Sequence, residues 1–89
     1  HGPAIADPRG HTEALLAHRL AREAGVREAV GRGAGTPAEI VPMLYPGLAE
    51  ALRRAAERSV LAHLLKLEGE GSVRRVQAPG GGEIFRAVN

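Results

Sequence analysis

The order of elements legible in this sequence predicts a mainly helical α+β fold. Three helices come first and a C-terminal β-hairpin follows, which is the order of a winged helix-turn-helix domain. Three observations carry the prediction. Helix-period apolar stripes run through residues 8–30 and 48–68, a capped two-turn helix lies between them, and two β-compatible runs flank a Pro/Gly-rich turn at the end. The chain has 89 residues, 44% of them apolar but only 2% aromatic. One domain of this size buries roughly 60–65% of its unfolded surface. With Tyr45 and Phe85 as the only aromatic residues, Ala, Leu and Val must build a core of closely packed helices.

The first helix is expected to start at Asp7-Pro8, an N-cap followed by Pro at the first helical position. Leu16, Leu20, Val26 and Val30 fall within an arc of roughly 120° and are expected to face the core. Gly25 interrupts this helix at a cost of about 1 kcal/mol relative to Ala and marks a soft point. Gly31, Gly33 and Gly35 end it.

Thr36-Pro37-Ala38-Glu39 reads as a capping box opening the second helix. The Thr36 hydroxyl is expected to accept the Glu39 N–H, and the Glu39 carboxylate to accept the Thr36 N–H. Pro46-Gly47 stops this helix after about two turns. The third helix runs from about Leu48 to Glu68, with Leu52, Ala56, Val60, Leu64 and Leu67 as its core stripe. Leu61 and Leu65 form a second apolar row, as on a helix contacted on two sides. Gly69 or Gly71 supplies the left-handed residue after it. Ser72 to Gln77 and Glu83 to Val88 are the hairpin strands, joined through Ala78-Pro79-Gly80-Gly81-Gly82.

Composition excludes several classes of function. There is no cysteine, hence no disulfide framework and no Cys-ligated zinc or iron–sulfur site. No apolar run approaches the roughly 18 residues of a membrane span, and no signal-peptide pattern is present. The net charge is only +2, and by segment it is +1 over residues 1–32, −1 over 33–45, 0 over 46–71 and +2 over 72–89. Such a balance lacks the concentrated basic stripe of a dedicated nucleic-acid binder. Within a winged helix, Arg54 and Arg58 lie one turn apart off the core stripe and would be the groove-reading residues; Arg74 and Arg75 would be wing contacts to phosphate. The mixed charge of the third helix and the lack of stacking aromatics weigh against that use.

Catalytic patterns are equally sparse. Ser59 and Ser72 are the only serines, and neither sits in a nucleophile elbow. Gly80-Gly81-Gly82 lacks the Gly-Lys-Ser/Thr ending of a phosphate loop. His11 and His18 stand seven residues apart, too far to share one metal, and His63 is expected to be a partly buried residue with one hydrogen bond. The chain opens on His1-Gly2-Pro3 rather than Met, as expected of a piece of a longer protein or a tag remnant.

His1-Gly2-Pro3 with Ile5, His18-Arg19 with Arg22-Glu23, Thr36 and Glu39, Tyr45, Ala56, His63-Leu64, Lys66-Leu67-Glu68 and Glu70-Gly71 occur in one register. In that combination the chain resembles the C-terminal winged-helix domain of beta-lactamase-like proteins of the metallo-β-lactamase superfamily, a group that includes the beta-lactamase-like endoribonuclease. The likeness covers residues 1 to about 72 and fades in the hairpin. Gly25 and Leu15-Leu16 depart from the pattern, where relatives have an uninterrupted helix and a common aromatic.

The resemblance implies that residues 1–6 end a catalytic metallo-β-lactamase domain and that 7–89 form the winged-helix domain. It makes His1 the last metal ligand of the intact protein, with the His-x-His-x-Asp-His cluster lying elsewhere in that protein. It makes His18, Arg19, Arg22 and Glu23 a group that docks the helix on the catalytic domain. The implied function is accessory: this domain packs beside the metal site and shapes substrate access, without catalysing anything itself. The whole protein would be a cytoplasmic zinc-dependent hydrolase, in which a zinc-bound hydroxide attacks an ester, thioester or phosphodiester. Zinc is implied for that protein and no cofactor for this segment. A free-standing winged-helix DNA-binding regulator is the alternative.

Overall fold

A computed structural model describes residues 8–88, with side-chain surroundings from residue 14 onward. His1, the expected Asp7 cap and the side chain of His11 lie outside that description. The elements appear in the expected order: α1 (Pro8–Gly31), α2 (Pro37–Leu44), α3 (Arg53–Gly69), β1 (Val73–Gln77) and β2 (Glu83–Ala87). A single 3₁₀ turn, Glu50–Leu52, leads into α3. Three helices and a two-stranded antiparallel hairpin make a winged-helix domain. No described helix is long and apolar enough to cross a membrane.

One apolar cluster joins all five elements: Val26, Ala29 and Val30 of α1, Ile40 and Val41 of α2, Val60, Leu64 and Leu67 of α3, Val73 of β1 and Phe85 of β2, with Ala34 from the loop. At 100° per residue, Glu23, Val26, Ala29 and Val30 share an arc of roughly 120° centred on Val26. Leu16 and Leu20 lie to one side of that arc, and each remains 53% exposed. The sequence stripe thus had the right width and the wrong phase. α1 is also about 36 Å long, and among the described residues its buried ones all lie in its second half. The α3 stripe is correct at Val60, Leu64 and Leu67, whereas Leu52 is exposed because the 3₁₀ turn rotates it away. Leu61 and Leu65, read as a second contact row, are exposed as well.

The termini follow local chemistry. Glu39 donates its N–H to Thr36 Oγ1 (3.2 Å), as the capping box requires. Its carboxylate, however, accepts the Gly35 N–H (2.7 Å) rather than that of Thr36. This contact reaches one residue further back and fixes the loop before α2. Beyond α3, Gly71 takes φ +82°. It donates to Glu68 O and Ser72 donates to Leu67 O, which satisfies two end carbonyls and turns the chain into β1.

A core with Phe85 as its one buried aromatic draws its elements close together, and two glycines sit at close points. A Cβ on Gly25 would lie 2.7 Å from Leu44 Cδ2, so α2 packs directly over this part of α1. Gly25 is therefore a contact point between helices rather than a soft point. Gly35 meets β2: its carbonyl accepts the Phe85 N–H (2.9 Å), and a Cβ there would stand 3.0 Å from Ile84 Cβ and 3.3 Å from Phe85 O. Neither neighbour can swing aside as the end of a long side chain can. Gly35→Ala is expected to destabilise the domain by about 1–3 kcal/mol, read as a lower urea midpoint at unchanged slope.

Candidate functional site

The buried residues of α1 that are described lie in its second half, and residues 14–20 are all exposed. Where the two stretches meet, α1 and α3 exchange polar contacts. Glu23 lies on the core arc one turn before Val26 and Arg27, just where apolar cover gives out. Its carboxylate accepts Lys66 Nζ at 2.8 Å, and Lys66 also donates to Glu70 at 2.8 Å. The Glu23–Lys66 bond spans 43 residues of sequence and ties the middle of α1 to the last turn of α3. It holds the Glu23 carboxyl below the usual carboxylate range, against the opposing effect of burial. His63 stands beside this pair with its Nδ1 3.9 Å from Glu23 Oε1. That separation is too long for the hydrogen bond expected of it. Burial depresses the His63 pKa below its ordinary value, and attraction to Glu23 offsets this only in part.

Arg22 extends the cluster towards α2. Its guanidinium lies 4.4 Å from the centroid of the Tyr45 ring at the end of α2. Its Nη2 lies 3.2 Å from His18 Nε2, within hydrogen-bond reach one turn along α1. Leu15, His18, Arg19 and Arg22 of α1 face Ser59 and His63 of α3 across a shallow groove. Of the four residues read as a docking group, Arg22 and Glu23 are engaged within this domain. His18 contacts only Arg22, and Arg19 is exposed with no partner among the described residues. Leu15, Leu16 and Leu20 continue this bare surface at 57%, 53% and 53% exposure.

The basic residues fall into two sets. Arg75 grips Glu68 at the end of α3 with two bonds (2.7 and 3.1 Å), reaches Glu83 across the hairpin (3.4 Å) and covers the Phe85 ring at 5.3 Å. It fastens the wing to α3, an engagement that the reading as a phosphate contact did not foresee. Arg74 is exposed, opposite Arg86 in the strand register. Arg54 and Arg58 are exposed on α3 beside Thr36, Pro37 and Ala38.

Among the described residues, no three His, Asp or Glu side chains gather as metal ligands do. The described residues alone do not fit a zinc site.

Sequence reasoning missed Lys66 and Tyr45 as members of the cluster. Lys66 and Glu70 carried a legible i,i+4 signal, but nothing local pointed from Lys66 to Glu23.

Residues 36–82, slightly more than half of the chain, match the family described as beta-lactamase associated winged helix domain. In its architecture the chain is similar to a crystal structure of a beta-lactamase domain protein from Burkholderia ambifaria, with a TM-score of 0.78 and 29% sequence identity over 90% of this chain. The chain spans 24% of that protein's length.

The Glu23–His63–Lys66 cluster makes stability depend on pH with a definite sign. Unfolded, His63 takes up its proton near 6.5; folded, it does so only at lower pH. Stability is therefore full above about 6.5 and falls as pH drops from there towards the folded value. Glu23, also depressed, adds a second loss below its ordinary value of 4.5. Urea midpoints are expected to fall between pH 7.5 and 5.5, and His63→Gln to flatten that stretch while leaving the more acidic decline in place.

Proposed function

The chain belongs to the family of beta-lactamase associated winged helix domains, and on that footing we propose that it is the accessory domain of a metallo-β-lactamase-fold metallohydrolase. In this reading it packs beside that enzyme's metal site and shapes the approach of substrate. The observation that carries the reading is the bare stretch of α1 over residues 14–20, where Leu15, Leu16 and Leu20 are each more than half exposed on a helix that outruns its own core. Three exposed leucines within six residues, flanked by an Arg19 with no ion-pair partner among the described residues, suit a polypeptide interface with an apolar centre and a charged rim. His18 and Arg19 would contact the β-lactamase domain directly, while Arg22 and Glu23 would brace α1 from behind through Tyr45 and Lys66.

The chemistry of the whole protein would be hydrolysis of an ester, thioester or phosphodiester by metal-activated water, with zinc held in the β-lactamase domain. His1 would be the last ligand of that site. The winged-helix domain would add no catalytic group and would limit what reaches the metal. The cytoplasm is the compartment proposed for it.

A DNA-binding regulator is the second reading, favoured by the exposure of Arg54 and Arg58 on α3. The engagement of Arg75 with Glu68 and Glu83 counts against it.

Three measurements separate the readings. The coding sequence ahead of His1 is expected to contain a Gly codon immediately before it and, farther upstream, His-x-His-x-Asp-His. In that longer chain, Leu16→Ser with Leu20→Ser is expected to lower the melting temperature and speed proteolysis at the junction near residue 7. Unchanged melting and proteolysis would defeat the docking face. Specific duplex-DNA binding by the chain, with log affinity falling steeply against log salt, would favour the regulator instead.

A further inference from the structure

The outward face of α3 is used neither by the core nor by the proposed docking surface. At 100° per residue, Arg54, Arg58, Leu61 and Leu65 lie within an arc of roughly 60°, which places them on one ridge of the helix. Ser59 and His63, which line the groove against α1, lie about 160–200° around the helix from Leu61. The ridge is exposed along its length, with Leu61 at 39% and Leu65 at 44%. Beside its first half, Thr36, Pro37 and Ala38 of α2 form the second wall of an open groove of about 450 Å³.

Charge along this ridge is segregated. Glu57, the one acid on the groove, approaches Arg53 at 3.9 Å. Arg54 and Arg58 have no ion-pair partner among the described residues. Two unpaired guanidiniums one turn apart therefore occupy the N-terminal half, and two leucines one turn apart occupy the C-terminal half. The ridge from residue 54 to residue 65 is about 16 Å long.

We propose that this ridge of α3 docks a polypeptide segment of a partner protein, acidic at the end that meets Arg54 and Arg58 and apolar at the end that meets Leu61 and Leu65. Charge complementarity selects this occupant. A nucleic-acid backbone carries its charge evenly, so half of it would lie against leucine, on a helix whose surrounding segment has zero net charge. A second copy of the chain fits poorly. Antiparallel self-contact sets arginine on leucine, and parallel self-contact sets arginine on arginine. Arginine is, by contrast, enriched at polypeptide interfaces, and the exposed leucines beside it supply apolar area to cover.

The test uses the 89-residue chain and two labelled helical peptides of equal length and composition. One has glutamates at one end and leucines at the other, and the second alternates them. Fluorescence anisotropy is expected to show the segregated peptide binding at least about ten-fold tighter. Arg54→Glu with Arg58→Glu should abolish that preference. Leu61→Ser with Leu65→Ser should weaken it, both variants keeping the wild-type circular dichroism. Equal binding of the two peptides, or binding of neither, would overturn the proposal. So would tighter binding of a duplex DNA that the arginine variant loses, or a dimer that the leucine variant dissociates.

Discussion

The apolar cluster centred on Leu64 is small, and it lies at one end of the longest helix. Leu64, Leu67 and Val60 of α3 meet Val26 and Val30 of α1 and Ile40 of α2, and the hairpin closes the cluster with Val73 and Phe85. No aromatic residue except Phe85 is fully inside, so the elements approach each other over short side chains. That closeness is why Gly25 sits under Leu44 and Gly35 under β2. It is also why the core ends before α1 does. A cluster of this volume covers the second half of a helix of about 36 Å and leaves residues 14–20 exposed.

The polar contacts mark where the core stops. Glu23 occupies a core-facing position of α1 where apolar cover ends, and Lys66 and His63 meet it there instead of a leucine. Arg75 does the same at the other edge, where α3 gives way to the hairpin. These two ties fix α3 between α1 and the wing. α3 then has three faces: one buried, one turned to the Leu15–His63 groove and one turned outward with Arg54, Arg58, Leu61 and Leu65. A helix held so firmly on one side can present the other as a rigid surface.

Much of the fold was legible because it rests on short-range rules. Thr36 with Glu39 marked the start of α2, Pro46-Gly47 its end, and the glycines after Glu68 the turn into β1. The hairpin strands fell within one residue of expectation. What failed was set by tertiary contacts. The apolar pattern of α1 offered two overlapping arcs, and only the position of α3 decides that Glu23 rather than Leu20 faces inward. Glu39 reaches Gly35 because the loop folds back on β2, which the capping pattern does not encode. Arg75 looked like a free wing cation because its partner Glu68 belongs to another element. The Glu23–Lys66 bond joins residues too distant in sequence for any local signal. The family resemblance, by contrast, pointed to the correct fold and to the family of beta-lactamase associated winged helix domains.

The central claim is that residues 14–20 of α1 depend on a surface outside this domain. Amide hydrogen exchange along α1 tests it most directly. In the 89-residue chain, amides of residues 14–20 are expected to exchange far faster than those of residues 26–30, and to gain protection when a β-lactamase domain precedes them. Equal protection along the whole of α1 in the chain alone would contradict the account.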